Sequence, residues 1–427
     1  MSIQSPAEKP KKRLLFLSAA YRQHGTKLAV GGVATHVESL AQALAATGRF
    51  AIDIVCGGTF DTPTARTLRL SRRSTLEVKK GSIQVYRVPH FDLASFDPRR
   101  VLGQEIIEYM LEGWRDERLP DLIHAHDFDA IYYGSILATA LMVPLVATMH
   151  RAVIAPKNGT PSNAKEAYLR LLAKYGLVDH IIVPSKASRD AIQGRGFLER
   201  NVDVVYHGVS ARHLASFPND VNLLRSLGLS EGDRYYLCPV RGDEHTDPSV
   251  FIRMAADLVK QEGFAGARFL MTVSETDPLF QDLCSMASRA SLRLGIDIVF
   301  RTFDRHQMAT IYRSARACIV PSPDESFGQT VLEAFVYRCP VIAANSAGLK
   351  EVIRHEVNGL HFDVRSSEDL RRHLLRLESS PRLRDQLVAN GEQEVMTRFN
   401  SMRMASDHRR VYSAVWQSHK RKGPAFR

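Results

Sequence analysis

Two glutamates eight positions apart are the residues of this chain whose type and spacing best suit ligand chemistry. Glu325 and Glu333 flank a Phe327-Gly328 pair in the segment PSPDESFGQTVLEAFVYRCPVIAANSAGLKEVIRHEVNGLHFD, residues 321–363. A carboxylate accepts hydrogen bonds, so it suits neighbouring hydroxyl groups and is a poor neighbour for phosphate. The pair therefore fits a ligand with hydroxyl groups at two places, although two solvated acids on a strand–loop–helix unit would give the same pattern.

A predicted helix begins near Gln329, directly after Gly328. The start of a helix leaves about four backbone N–H groups unpaired and carries roughly half a positive charge. A diphosphate is a natural ligand for that end, and a glycine lets the backbone approach it closely. The segment thus predicts a diphosphate between the two glutamates, with Glu325 near a hexose and Glu333 near a ribose.

The elements PS, ESFG, LEAF, CPVIA and NGLHF follow one another in this segment. Their order resembles the nucleotide-sugar site of the retaining GT-B glycosyltransferases with an E-x7-E signature, the glycosyltransferase family 4-like group, and the resemblance extends over most of the chain. It implies an α/β fold of two facing Rossmann-like doubly wound domains, with the ligand at the carboxyl ends of the strands. It also implies transfer of a hexose-type sugar from a nucleoside-diphosphate sugar to an acceptor.

The elements that must hold this segment follow from the alternation of apolar runs with turn residues, which is typical of a parallel doubly wound sheet. In the first half we predict a helix at 32–46 and strands at 14–18, 52–56, 83–88, 122–126, 145–149, 180–183 and 202–206. In the second half we predict strands at 235–240, 268–273, 297–301, 317–320 and 341–344.

A chain of 427 residues exceeds what one hydrophobic core usually serves, so two domains are expected. The resemblance implies an acceptor-binding domain at 12–208 and a nucleotide-sugar-binding domain at 209–399. A crossover helix at 400–418 would complete the first domain, followed by a basic tail at 419–427.

The resemblance implies donor-binding residues in both halves of the chain. The implied donor-binding residues are Gly31, Gly32, Arg241, Arg301, Phe303, Glu325, Ser326, Phe327, Gly328, Gln329, Thr330, Val331 and Glu333. The family usually has a G-R-x4-K-G element whose arginine and lysine clamp the diphosphate. Here the segment reads PVRGDEHTDPS, with Arg241 at the arginine position and Thr246 where the lysine belongs. A lost ammonium removes a charged hydrogen bond worth roughly 1.5–3 kcal/mol.

The implied catalytic residues are His126, Arg241 and Glu325. Arg241 would neutralise charge on the departing phosphate, Glu325 would hold the sugar, and His126 of the HAHD motif would steady the sugar as positive charge develops. Transfer would proceed with retention, without a protein nucleophile and without a metal. Asp127-Phe128-Asp129 spells DxD, a metal motif in other transferases, but here it belongs to HAHD.

The acceptor residues that the resemblance implies are Asp127, His150 and Lys157. His150 ends a predicted strand, and Lys157 lies in the following loop, where it would meet a phosphate or carboxylate of a small polar acceptor. A surface lysine at that position is an equal alternative. The alanine- and arginine-rich composition favours a biosynthetic enzyme of secondary metabolism.

The composition and net charge limit the kinds of partner that can be expected for this chain. The net charge of +11 favours anionic ligands such as nucleotide sugars, but no basic stripe or motif indicates nucleic acid. The five cysteines form no CxxC or disulfide framework, and no apolar run reaches the roughly 18 residues of a membrane span. We therefore predict a cytoplasmic protein, at most peripheral to membranes. A homodimer is left open.

Three alternatives remain beside a small-acceptor transferase. The first is a nucleotide-sugar 2-epimerase, which shares the two-domain fold but needs a different set of carboxylates. The second is a non-catalytic or regulatory GT-B subunit, which is suggested by Thr246 in place of the family's lysine. The third is a peripheral glycolipid or polysaccharide glycosyltransferase, which the positive charge would suit.

Overall fold

The computed structural model describes residues 11–18, 32–57, 75–77, 83–88, 119–150, 171–172, 174–192, 201–229, 233–240, 246–275 and 277–421. Three of the predicted site residues, Gly31, Lys157 and Arg241, lie outside these ranges.

The first sheet has eight strands in the order β3-β4-β2-β1-β5-β6-β7-β8. All its neighbouring pairs are parallel except β3 with β4. The strands are β1 (Lys12–Ser18), β2 (Phe50–Gly57), β3 (Thr75–Glu77), β4 (Ile83–Val88), β5 (Leu122–His126), β6 (Leu145–Thr148), β7 (His180–Val183) and β8 (Val202–Val204).

The second sheet has six strands in the order β11-β10-β9-β12-β13-β14, and every neighbouring pair is parallel. The strands are β9 (Tyr235–Cys238), β10 (Arg268–Met271), β11 (Ile298–Phe300), β12 (Ala317–Val320), β13 (Val341–Ala344) and β14 (Leu360–Phe362).

Helices connect the strands of both sheets. In the first half they are α1 (Gly32–Ala46), α2 (Asp127–Leu141) and α3 (Lys186–Ile192). The remaining helices are α4 (Ala211–Ala215), α5 (Val221–Ser226), α6 (Ser249–Leu258), α7 (Phe280–Arg289), α8 (Arg305–Ser314), α9 (Gln329–Val336), α10 (Leu349–Val352), α11 (Ser367–Ser379), α12 (Pro381–Thr397) and α13 (Ser401–Arg421), with a 3₁₀ turn at Glu262–Phe264. Within the described ranges, no helix combines the length and apolarity needed to cross a membrane.

Side chains along the central strands are buried on both faces, as a parallel sheet covered by helices requires. In β1, Leu14 and Phe16 join the core on the side of α1, whereas Leu15 and Leu17 join the core on the side of α2. Successive side chains of a strand point to opposite faces, so one apolar run supplies both cores. The uninterrupted apolar runs of the sequence therefore mark the centre of each sheet.

The two connections between the halves run side by side. Val209 N–H donates to the Phe399 carbonyl at 2.9 Å, and Ser401 N–H donates to the Val209 carbonyl at 3.0 Å. Beyond this crossing, α13 returns to the first sheet, where Tyr412 and Val415 are buried against the core beside α1. The domain boundaries at 208/209 and 399/400 remain predictions.

The fold class and the predicted strands are confirmed, with differences at the ends. Five strands are shorter than predicted: β6 ends at Thr148, β8 at Val204, β9 at Cys238 and β10 at Met271, and β11 covers only Ile298–Phe300. The final helix extends to Arg421, so the predicted start of a tail at 419 was wrong; basic residues suit the last turn of a helix because of its dipole. Two further strands, β3 and β14, were not predicted; both are three-residue edge strands.

Candidate active site

A cavity of about 220 Å³ opens at the carboxyl ends of the strands and is lined by residues of both halves. The first half contributes Gly32 and Val33 at the start of α1, together with His150 after β6 and His207 after β8. The second half contributes the loops after β9, β10, β11 and β12 and the start of α9. This is the place where ligands bind in doubly wound sheets.

The loop before α9 depends on two glycines. Gly328 adopts φ +107°, a left-handed conformation that favours glycine, and a Cβ there would lie 2.8 Å from Leu349 Cδ2. Gly348 passes directly behind the loop, where a Cβ would lie 2.0 Å from the Glu325 carbonyl oxygen. The loop is therefore held against α10 by backbone contact, which fixes where Glu325 and the helix start stand.

Both glutamates of the sequence pattern line the cavity. Glu325 accepts a long hydrogen bond of 3.5 Å from Phe327 N–H, and Glu333 accepts one of 3.4 Å from the Tyr312 hydroxyl. Burial and the Glu333 carboxylate raise the pKa of Tyr312 well above its usual range, so the phenol stays a donor. The two carboxylates are thus half-buried acceptors that flank the start of α9.

Six buried histidines form a histidine cluster next to the cavity. They are His36 of α1, His124 and His126 of β5, His150, His207 and His408 of α13. Neighbouring ring centroids are 4.2 Å apart for His124 and His126 and 4.6 Å apart for His36 and His150. Burial lowers the pKa of every ring, that of His150 to about 3 and that of His408 to about 4. Neighbouring histidines lower it further for all except His408, where Arg403 has that effect. The cluster is therefore neutral at pH 7.

Sequence profiles of known families match both halves of the chain. The profile of Glycosyltransferase Family 4 matches residues 30–213, and that of Glycosyl transferases group 1 matches residues 222–394. The chain belongs to the family 4-like GT-B glycosyltransferases.

Relatives and solved structures agree with this membership. An uncharacterized glycosyltransferase of Methanocaldococcus jannaschii is 24% identical over 397 residues, 91% of this chain and 95% of the relative. A D-inositol 3-phosphate glycosyltransferase of Streptosporangium roseum is 28% identical over 63% of this chain and 64% of the relative. The structure of Anabaena HepE in complex with UDP and glucose superposes with a TM-score of 0.71 at 19% identity, covering 94% of this chain and 100% of that one, which shows a shared fold.

The glycosyltransferase brings most of the predicted donor residues to one cavity. Those that line it are Gly32, Phe303, Glu325, Ser326, Phe327, Gly328, Gln329, Thr330 and Glu333. Val331 is fully buried in the core, and Arg301 is exposed with a guanidinium nitrogen 3.5 Å from Ser226 Oγ; neither lines the cavity. Arg241 and Gly31 lie outside the described residues, and the roles of all these residues stay predictions.

The predicted acceptor-side residues form one chain of contacts. Asp127, with φ +66° at the start of α2, accepts a hydrogen bond of 3.0 Å from His150 N–H through Oδ1. His126 Nδ1 lies 3.2 Å from His150 Nε2. His150 lines the cavity of the glycosyltransferase, whereas His126 and Asp127 stand behind it. Asp127 and His126 therefore hold His150 in position through these contacts.

Six polar residues of the glycosyltransferase cavity were absent from the sequence prediction: His207, Thr272, Thr302, Tyr312, Ser322 and Asp324. His207 belongs to HGVS, which reads as a connection between domains. The available signal was its position directly after a predicted strand, since polar residues at carboxyl ends of parallel strands face the ligand crevice. Thr246, which replaces the family lysine, lines the cavity as well.

Proposed function

We propose that this protein is a retaining glycosyltransferase that moves a hexose-type sugar from a nucleoside-diphosphate sugar to a small polar acceptor. The observation that carries the proposal is the placement of Glu325 and Glu333 in one cavity on either side of the start of α9. Two hydroxyl-binding carboxylates separated by a helix start match the hexose, diphosphate and ribose of such a donor.

We assign the diphosphate to the amides at the start of α9. Val331 N–H donates back to the Gly328 carbonyl at 3.0 Å, so the assignment falls on Gln329 and Thr330, which both line the cavity. The left-handed Gly328 leaves no side chain in the way of a phosphate. Arg241 would add a guanidinium that can contact two phosphate oxygens.

The proposed donor is a UDP-sugar of the glucose type, since Anabaena HepE shares the fold and is solved with UDP and glucose. The proposed acceptor is a cyclitol or sugar phosphate, since relatives at 28% identity include a D-inositol 3-phosphate glycosyltransferase. The net charge of +11 is consistent with two anionic substrates. We also keep the expectation of a cytoplasmic enzyme of secondary metabolism as part of this proposal.

In the proposed reaction, departure of the nucleoside diphosphate is the difficult step, and positive groups around the phosphates stabilise it. Glu325 holds the sugar hydroxyls, and His150 and His207 form the opposite wall. The acceptor hydroxyl attacks the anomeric carbon from the face that the diphosphate leaves, and its proton passes to the departing phosphate oxygen. The positive helix start and the Arg241 guanidinium would offset negative charge on the diphosphate, so we propose transfer that does not need Mg²⁺.

The test is transfer from UDP-glucose to a panel of cyclitol and sugar phosphates in EDTA, followed by NMR of the new anomeric centre. We expect an α-linked product from the α-linked donor. Glu325→Gln should lower kcat/KM by about 10–150-fold, the equivalent of a charged hydrogen bond of roughly 1.5–3 kcal/mol. Glu392→Gln, in an exposed pair with Arg338, is the matched control and should act like wild type. A β-linked product, or equal rates in both variants, would contradict the proposal.

A nucleotide-binding regulatory subunit is the second candidate, because Thr246 lines the cavity where the family lysine is expected. A subunit of that kind would bind a nucleoside diphosphate and release no sugar from any donor. The same assay separates the two, since binding without turnover across the acceptor panel favours the regulatory reading.

A further inference from the structure

Hydrogen bonding divides the histidine cluster into two groups. His124 has a partner on each ring nitrogen, the Thr148 hydroxyl at 2.7 Å and the Tyr412 hydroxyl at 2.8 Å, and His408 Nδ1 lies 2.8 Å from the Met404 carbonyl. His124 is therefore a satisfied core residue, and His408 is anchored through one of its two ring nitrogens. His36, His126, His150 and His207 are not explained in this way.

The second group has buried ring nitrogens with no partner in the part of the chain that the structure describes. They are both nitrogens of His36 and of His207, Nε2 of His126 and Nδ1 of His150. A buried polar group without a hydrogen bond costs about 1–3 kcal/mol. His36, His126 and His150 meet at one place, and His36, with neither ring nitrogen bonded, points to a ligand there.

The spacing of the three rings suits a metal ion. One nitrogen from each ring lies within 4.8 Å of the others. Tetrahedral Zn²⁺ with Zn–N bonds of about 2.0–2.1 Å places its ligand nitrogens about 3.3–3.4 Å apart. His126 Nδ1 and His150 Nε2 contact each other at 3.2 Å, which is close to that separation, so an ion bound by both nitrogens would replace their mutual hydrogen bond.

We propose that His36, His126 and His150 bind a divalent transition-metal ion, with Zn²⁺ as the preferred ion. Imidazole nitrogens suit Zn²⁺, Cu²⁺ and Ni²⁺, whereas Mg²⁺ and Ca²⁺ prefer oxygen ligands. Three histidines leave a fourth position for water, a substrate oxygen or a fourth protein ligand. His207, whose ring centroid is 4.3 Å from that of His36, is the nearest further ring.

This site differs from the proposed donor site and from the DxD motif. The diphosphate is assigned to the start of α9, and Asp127 is engaged with His150 N–H. An ion held by His150 would fix one wall of the cavity, because His150 lines it. Metal binding is therefore measurable without donor, acceptor or turnover.

The test uses the untagged full-length chain, stripped with a chelator, dialysed and titrated with Co²⁺ and then Zn²⁺. We expect visible absorption typical of tetrahedral Co²⁺, saturation at one ion per chain, displacement by Zn²⁺ and no displacement by Mg²⁺. His36→Asn and His150→Asn should weaken binding by about 100-fold or more, since even outer partners of a metal site contribute about 10–100-fold. His306→Asn, at an exposed histidine, is the matched control and should bind like wild type.

Thermal unfolding in EDTA shows whether each variant is folded, and one folded variant is sufficient. X-ray absorption of the Zn²⁺-loaded wild type needs no variant and should report imidazole ligands. A first shell without imidazole, no uptake of Co²⁺ or Zn²⁺ by wild type, or equal uptake by folded His36→Asn would overturn the proposal.

Discussion

At the scale of single residues, Thr246 is the clearest departure from the family pattern. It lines the cavity at the position where the G-R-x4-K-G element has its lysine. A hydroxyl replaces an ammonium there, so in the proposed site the positive charge near the diphosphate would come from the helix start and, as predicted from the sequence, from Arg241. Tight donor binding would then depend more on Glu325 and Glu333 than the family pattern implies.

Restoring the lysine tests this interpretation. Thr246→Lys should tighten binding of a nucleoside diphosphate by about 10–150-fold, because a charged hydrogen bond contributes roughly 1.5–3 kcal/mol. Isothermal titration at low salt measures the change. Thr397→Lys adds the same charge at an exposed position of α12 and should leave affinity unchanged. An equal gain in both variants would show a general charge effect and contradict the role of position 246.

At the scale of elements, the loop before α9 depends on the packing of α10 behind it. Gly348→Ala places a Cβ against the Glu325 carbonyl oxygen, only 2.0 Å away, and that backbone cannot yield without moving Glu325. We expect a loss of about 1–3 kcal/mol in the free energy of unfolding and weaker nucleotide binding. Gly263→Ala is the matched control, since a Cβ there meets nothing within 4 Å. Equal nucleotide affinity in the two variants would contradict this account.

The turn that leads into β11 gives a pH-dependent prediction. The Asp297 carboxylate accepts hydrogen bonds from Arg293 N, Nε and Nη2 at 2.8, 2.9 and 2.6 Å. These bonds lower the pKa of Asp297, so its contribution to stability is present above the unfolded-state value of about 3.9 and is lost as pH falls through the lower folded-state value.

Asp297→Asn should therefore lower the free energy of unfolding by about 1–3 kcal/mol at pH 7. The difference from wild type should stay constant down to about pH 5 and shrink below about pH 4. Urea unfolding across this range measures it. A difference that grows as the pH falls would contradict the assignment.

At the scale of the whole molecule, the two halves are joined by polar contacts. Glu351 of α10 accepts hydrogen bonds from Lys186 N–H at 3.0 Å, Ala187 N–H at 2.8 Å and the Tyr206 hydroxyl at 2.9 Å. Arg305 of the second half pairs with Glu38 of α1, and both side chains are largely buried. These contacts hold the two halves of the chain together.

Glu351→Ala removes three of these hydrogen bonds and should open the ligand-free molecule. Small-angle scattering should report a larger radius of gyration, and KM for the donor should rise, since closure brings both walls to the ligand. Glu392→Ala, in an exposed ion pair within the second half, is the control. An unchanged radius of gyration in Glu351→Ala would indicate that other contacts hold the halves together.

Some elements of this fold are predictable from the sequence and others are not, for physical reasons. Buried strands such as β1 and β12 are uninterrupted apolar runs, so they are predictable from sequence. The two strands that were not predicted, β3 and β14, are three-residue segments that contain polar residues, TLE and LHF, so they lack that signal. The motif around Glu325 is local in sequence and was found. The meeting of His36, His150 and His408 depends on how α1, the end of β6 and α13 pack together, which is not local in sequence.

The central claim is that the cavity binds a nucleoside-diphosphate sugar between Glu325 and Glu333. The most direct measurement is a thermal-shift and titration screen of the chain against UDP, GDP, ADP, TDP and CDP, with EDTA and with Mg²⁺. We predict that one nucleotide, UDP, stabilises the folded chain by about 2.7 kcal/mol at a hundredfold excess over its Kd. The stabilisation should be the same in EDTA and in Mg²⁺. Glu333→Gln should weaken that binding by about 10–150-fold, and Glu392→Gln should not. No shift with any nucleotide, or equal binding by both variants, would contradict the account.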